Sequence, residues 1–171
     1  GSATIFCYDL KKRQPVLDQY YLNSIIDGYF ETRGFMEQED STIWVATING
    51  LRIYKNGAYA MPPFEHAVLE EGYVRDIELM SNGNMAFGLG SGGILIRQKD
   101  NQIVHLTTEN GLSTNSISRL VAGPDGDLYA CTNNGLNHIT HSDAGEYQIK
   151  IIGVKQGLPS DLVQDVTWLN H

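Results

Sequence analysis

Cysteine is nearly absent from this chain. Cys7 and Cys131 are the only two in 171 residues, too few for a disulfide framework and without the spacing of a metal knuckle. Both read as small buried thiols. Positive charge is short as well. Twelve Lys+Arg stand against twenty Asp+Glu, a net charge of -8, so the counterion release that drives nucleic-acid binding would work against association. Nucleic acids fall away as partners. No apolar run approaches the ~18 residues of a membrane-spanning helix. Nor does a basic stretch with an apolar core and a small-residue cleavage site follow Gly1-Ser2, which reads as the scar of a cleaved tag (1–2). Ala-, Lys- and Glu-rich helical stretches are missing too. What is plentiful is glycine, 18 residues against the usual ~7%. With 42% hydrophobic residues, this composition points to one ordinary core built from short strands and many turns.

Self-comparison finds a repeat. Segments 42–51, 84–94 and 127–136 align, and the glycine before the Leu or Ile falls at Gly50, Gly93 and Gly135, steps of 43 and 42 residues. Each copy follows an apolar stretch and a polar turn in which Asp40, Asn82 and Asp125 are equivalent. Asn82-Gly83 and Asp125-Gly126 are dipeptides suited to a type I′ hairpin, so the first two strands of each unit are expected to form one. A third strand follows the repeat glycine. A fourth follows a second polar turn: Asn56-Gly57, Asp100-Asn101, then 142–145. Four short antiparallel strands per period is the unit of a β-propeller blade. The innermost strands, 74–80 and 117–122, are apolar enough to be covered on both faces.

The expected fold is therefore all-β, a β-propeller segment of four-stranded antiparallel blades. Residues 3–24 match the third and fourth strands of a partial blade; 25–66, 67–109 and 110–155 are blades; 156–171 holds the first strand of a further one, at 164–169. The chain then enters at a third strand and leaves after a first, which predicts a piece of a larger propeller. Its exposed blade faces are expected to drive self-association or to need further blades.

Few motifs carry chemistry. Gly88-Leu89-Gly90-Ser91-Gly92-Gly93 fits the dinucleotide pattern G-x-G-x-x-G, but the pattern needs a helix after it and Ile94-Leu95-Ile96 reads as a strand, so no cofactor is expected. Asp125-Gly126-Asp127 is hairpin chemistry, because its counterparts carry progressively less charge and calcium wants six to eight oxygens. His138 and His141 sit three apart on a strand and its exit, which sends them to opposite faces, and His66, His105 and His171 lie in different units. No metal is expected. Glu37 with Asp76 and Glu78 offers carboxylates on neighbouring inner strands, the raw material of glycoside hydrolysis, and no G-x-S-x-G elbow occurs. Trp44, Phe87 and Tyr129 mark the start of the second strands as packing residues. Cys131 aligns with the small residues Ala46 and Gly88.

The string Asn110-Gly111-Leu112-Ser113-Thr114-Asn115-Ser116-Ile117, followed by 125–136, resembles the two-component regulator propeller repeat, approximately N-G-L-x-x-N-x-V and then D-x-x-G-x-L-W-I-G-T-x-x-G-L. Residues 42–51, with Trp44 and Thr47 in place, match its second half, and 157–163 match its first. Ala46 and Cys131 replace its glycine, and the middle unit lacks its Thr. The resemblance implies the extracytoplasmic, periplasmic sensor region of a bacterial hybrid histidine kinase, often one that detects carbohydrate fragments. Kinase and membrane segments would lie outside this chain, so no catalysis is expected of the chain itself. The repeat residues identify no ligand site.

The expected function is non-catalytic ligand sensing, with a small molecule or oligosaccharide as partner. The loops between second and third strands and the connections between blades offer Asn49, Ser91, Asn115, Asn133 and Asn134, whose amides and hydroxyl can bond sugar hydroxyls. The alternatives are a propeller enzyme of lyase or glycoside-acting type, since lyase-like propellers also carry G-P-D-G turns such as 123–126, or a protein-binding scaffold.

Overall fold

The computed structural model describes residues 4–5, 8–15, 20–21, 31–55, 58–63, 66–142 and 146–168. Cys7, His171 and the turns at Asn56-Gly57 and 143–145 lie outside the described residues.

Where the sequence predicts a third and fourth strand near the N-terminus, β1 (Thr4–Ile5) pairs with β4 (Tyr20–Tyr21) and β2 (Tyr8–Asp9) with β3 (Gln14–Pro15), all antiparallel. Three four-stranded antiparallel sheets follow in simple meander order. The first holds β5 (Thr32–Glu37), β6 (Ile43–Thr47), β7 (Gly50–Lys55) and β8 (Ala58–Ala60). The second holds β9 (Val74–Leu79), β10 (Met85–Leu89), β11 (Ile94–Arg97) and β12 (Ile103–Leu106). The third holds β13 (Ile117–Ala122), β14 (Leu128–Thr132), β15 (Gly135–His141) and β16 (Tyr147–Ile152). The first strands β5, β9 and β13 pack side by side, which stacks the sheets as blades.

Alternating side chains of the middle sheet feed two separate cores, as period-two geometry requires. Met85, Phe87, Leu89 and Leu95 point toward the first sheet and meet Trp44, Ala46 and Leu51; Ala86, Ile94 and Ile96 point toward the third and meet Leu120, Leu128 and Ala130. The strand β10 is buried at every residue. The innermost strands are less covered than their apolar sequences suggest. In β9 only Val74, Asp76 and Ile77 are buried, and the strand pairs with β10 on one edge only, which leaves its other edge without a ladder. Register also refines the aromatic triple. Trp44 and Tyr129 are equivalent to Ala86, which faces the next sheet, whereas Phe87 turns back to stand 6.2 Å from Trp44.

The repeat glycines are where the backbone needs them. Gly50, Gly93 and Gly135 have φ of 100°, 81° and 98°, a region that L side chains avoid. The hairpin turns, however, are not type I′. Only their last residue, Ser41, Gly83 or Gly126, has positive φ, and its N–H donates to the carbonyl three residues back, giving a type I turn closed by a left-handed residue. The reason lies in the Asx side chains. Asp40 Oδ1 and Asn82 Oδ1 each accept the N–H two residues on at 3.0 Å, which holds Asp40 and Asn82 right-handed.

Two elements depart from expectation. A short helix, α1 (Ala67–Glu71), fills the connection between the first two sheets and buries Leu69. The strand predicted at 164–169 is not formed among its described residues: 162–168 carry no ladder, because no second strand lies beside them to complete one. They still follow the path of an innermost strand. Val163 N–H donates to the Thr132 carbonyl at 2.9 Å, and Trp168 Nε1 donates to the Ala122 carbonyl at 2.8 Å. Leu136, Leu158, Leu162, Val163 and Val166 line a groove of about 470 Å³ there.

Cys131 is fully buried, and burial pushes its thiol pKa up to about 11. Since the thiolate is the reacting form, iodoacetamide at neutral pH will leave Cys131 unmodified in the folded protein and alkylate it in concentrated guanidinium. Peptide-resolved mass spectrometry reads the result. Equal labelling in both states would contradict the packing.

Candidate ligand-binding face

The loops between second and third strands and the connections that enter the next sheet are tied together at one end of the stack. Arg52 Nη1 in the first sheet donates to the Glu70 carbonyl at 3.0 Å, Gly93 N–H donates to the Asn115 carbonyl at 2.8 Å, and Gly135 N–H donates to the Asp161 carbonyl at 2.6 Å. In the first and third sheets a threonine shapes the loop. Thr47 Oγ1 donates to the Gly50 carbonyl and accepts from Asn49 N–H, and Thr132 Oγ1 does the same with Gly135 and Asn134. The middle sheet has Leu89 at that position and uses the longer 90–93 loop instead.

The connections themselves repeat. Residues 107–112 and 153–158 each make a 3₁₀ turn closed by a left-handed glycine, Gly111 or Gly157, both at φ 105°. Asn115 Oδ1 accepts Thr108 N–H at 2.8 Å, and its counterpart Asp161 Oδ1 accepts Val154 N–H at 2.8 Å. Asn115 therefore staples its connection with both its backbone and its side-chain oxygen.

Of the five residues the sequence singles out, Asn115, Asn134 and the loop carrying Ser91 come together. Asn134 Nδ2 donates to the Ser113 carbonyl at 2.9 Å, and Gly93, two residues after the exposed Ser91, is bonded to Asn115. Asn133 is exposed beside Asn134. Asn49 is exposed on the neighbouring loop, which faces the Glu70 connection instead. A network that sequence reasoning missed backs this end. Asn137, wholly buried, accepts Ser113 N–H on Oδ1 at 2.8 Å and donates from Nδ2 to Ser113 Oγ at 2.9 Å, while Ser113 Oγ lies 3.1 Å from Thr132 Oγ1.

Below this face runs a row of charges. The ladders make Gly34, Asp76 and Arg119 equivalent, and the sequence repeat of 111–117 at 157–163 puts Asp165 at the same position on the final segment. Arg119 Nε stands 3.6 Å from both Asp76 Oδ2 and Asp165 Oδ1. Asp76 is buried, and its two oxygens serve two strands: Oδ1 accepts Ile77 N–H at 3.1 Å, Oδ2 accepts Leu120 N–H at 2.8 Å. Glu78 Oε1 accepts Ala122 N–H at 3.0 Å. Burial outweighs these bonds and raises both carboxyl pKa values. Of the three carboxylates considered for hydrolysis, two thus hold a strand edge, and Glu37 sits exposed at the other end of its strand.

At the mouth of the row lies a basic pair. Each first strand carries a bulge near its start, with Arg33 and Arg75 as the extra residues of β5 and β9. Their guanidinium carbons stand 5.5 and 5.8 Å from the centre of the Tyr73 ring, and Arg75 Nη1 donates to the Tyr73 hydroxyl at 3.1 Å. The two arginines fall one period apart, a signal that carrying the repeat into the first strands would have found. Among the described residues no three His, Cys, Asp or Glu side chains gather as a metal site. His138 pairs with Asp127 at 2.5 Å and stacks on Tyr129 at 4.4 Å, on the far side of the third sheet.

No family model and no curated protein matches the chain. Solved structures do. The extracellular domain of a signalling system of B. thetaiotaomicron, described both as one component and as hybrid two component, superposes on 96% of this chain with a TM-score of 0.68 and 22% identity, over 22% of that domain. A second extracellular domain, of a hybrid two component system from the same organism, covers 91% of this chain with a TM-score of 0.63 and 23% identity, over 20% of its own length. A streptogramin B lyase covers 93% with a TM-score of 0.61 and 18% identity, over 50% of the enzyme. The chain thus spans about a fifth of the length of the two sensor domains. Identities this low show the fold, an all-β propeller segment.

Proposed function

We propose that this chain is a non-catalytic, ligand-sensing segment of the extracytoplasmic, periplasmic sensor region of a bacterial two-component signalling protein, and that it contributes part of an oligosaccharide site. The observation that carries the reading is a likeness covering nearly the whole of this chain to extracellular domains of such systems. It is joined by a polar end where loops from two sheets and the connection between them converge on Asn115 and Asn134. In this reading 25–66, 67–109 and 110–155 are blades, and 3–24 and 156–171 are parts of blades completed by other segments of a longer protein or by a second copy. The groove beside 158–166 and the exposed Ile151 and Leu162 are then surfaces a neighbouring blade covers.

Native mass spectrometry of the chain against a set of neutral and acidic oligosaccharides, alongside a protein pull-down, tests this. Saturable sugar adducts are expected, and Asn133→Ala with Asn134→Ala will abolish them without lowering thermal stability by more than a few degrees. Adducts indifferent to the double substitution would move the site off this face. Protein capture without sugar binding would favour a scaffold, and turnover of a bound sugar or cyclic peptide would favour the enzyme alternatives to which the lyase likeness belongs.

A further inference from the structure

The Arg33, Tyr73 and Arg75 cluster is unusual for a chain with twelve cationic side chains and a net charge of -8. Two guanidinium groups share one phenol ring, and like charges that close repel each other. Glu31 offsets one of them, with Oε2 3.0 Å from Arg33 Nη2. Among the described residues Arg75 has no carboxylate within salt-bridge reach, and its one side-chain hydrogen bond there goes to the neutral Tyr73 hydroxyl. A guanidinium carries five donors in a rigid fork. Most of those of Arg75 are therefore left for solvent or for a ligand.

The cluster is also held in place. Tyr73 packs against Gly90, where an added Cβ would collide with the ring, and the Tyr73 carbonyl accepts Gly90 N–H at 3.0 Å. Gly90 adjoins Ser91, so the arginines open onto the ligand face. Their equivalent in the third sheet is Ser118, which leaves the positive charge concentrated at the first two sheets. A planar fork next to a phenol matches a small oxyanion, which it binds bidentately and more tightly than a neutral hydroxyl.

We infer that Arg33, Tyr73 and Arg75 form an anion subsite of this face, taking the carboxylate or sulfate group of an acidic sugar. Arg75 makes the bidentate contact, Arg33 adds a second donor set shared with Glu31, and the Tyr73 hydroxyl, which accepts from Arg75, donates its own proton to the anion. This inference rests on the ligand-sensing reading, and it sets the ligand class within it.

Calorimetric titration of the 171-residue chain tests it, with galacturonate and N-acetylglucosamine 6-sulfate oligomers, their neutral galactose and N-acetylglucosamine counterparts, and inorganic sulfate as probes. At least one acidic oligomer is expected to bind more tightly than its neutral counterpart, with affinity falling as salt rises. Arg75→Gln should weaken that binding about tenfold or more, the size of a lost charge-assisted hydrogen bond. Tyr73→Phe should weaken it less, and Arg33→Gln provides an independent second variant; unchanged melting temperatures will show that the variants fold. Equal affinity for acidic and neutral oligomers, or indifference to both arginine substitutions, would overturn the subsite. Neutral sugar binding that is lost with the Asn133 and Asn134 pair but kept in Arg75→Gln would overturn the subsite alone and leave the sensor reading standing. Absence of binding by every oligomer would remove both. Sulfate competing as tightly as the acidic sugars would make a free anion the occupant and overturn the sugar assignment.

Discussion

Gly93→Ala will destabilise the protein by about 3 kcal/mol, and Gly50→Ala by a similar amount, while Gly135→Ala will cost about half as much. All three residues sit in the left-handed region, so the backbone strain of ~1 to 2 kcal/mol is common to them. What differs is the space a Cβ would enter. At Gly93 it would run into the Leu106 carbonyl oxygen, and at Gly50 into the Glu70 carbonyl; both are backbone atoms held by neighbouring structure that cannot swing aside. At Gly135 the nearest atom, the Ile152 carbonyl oxygen, would stand 3.0 Å away, a distance that a shift of a few tenths of an ångström relieves. Urea unfolding of the three variants reads the order. If Gly135→Ala proves the most damaging, the loop geometry assigned to the 90–93 and 49–50 turns is wrong.

These glycines also show what was legible in the sequence. A position that demands positive φ leaves a residue-type mark, and three such marks at steps of 43 and 42 residues revealed the sheets and their strand order. Turn type did not show in the same way, because Asn82-Gly83 suits two turn types and the choice is made by the Asn82 oxygen finding the N–H of Asn84. The helix at Ala67–Glu71 is too short to display a period, and its register is set by Leu69 reaching the core. At the candidate face the exposed amides could be named from loop position alone. Their grouping could not, because it depends on hydrogen bonds between residues about twenty apart, as from Asn134 to Ser113. The charged row was only half legible. The repeat aligns Gly34, Asp76 and Arg119 from the sequence alone, but the approach of Arg119 to Asp76 and Asp165 appears only once the sheets are stacked.

Asp76→Ala should be the most costly substitution in that row, at about 3 kcal/mol. The first strand of each sheet has one edge without a neighbouring strand to bond, and its buried N–H groups need another acceptor. The β5 strand offers Gly34 and Met36 at the two positions where β9 has Asp76 and Glu78, so it can supply none. Asp76 therefore turns one oxygen onto its own Ile77 N–H and the other onto Leu120 N–H of the next sheet, and Asp165 repeats the first half of the arrangement with Val166 N–H at 2.9 Å. Alanine would strand two buried donors, each costing about 1 to 3 kcal/mol, offset in part by release of the buried charge. Asp76→Asn keeps one acceptor and should lose about 1 kcal/mol. The pH dependence separates charge from hydrogen bonding. Burial raises the Asp76 and Glu78 pKa values in the folded state, so between the ordinary carboxylate pKa of ~4 and those raised values the folded protein binds more protons than the unfolded chain. Their contribution to stability then falls as pH rises through that window and is flat above it. Lowering the pH from 7 toward ~4 should accordingly stabilise the wild type relative to Asp76→Asn, measured as the difference between their urea midpoints. A difference that stays constant, or that widens in the opposite sense, would show that Asp76 keeps its charge in the folded state at an ordinary or depressed pKa. In that case the pairing with Arg119, not burial, would dominate the row.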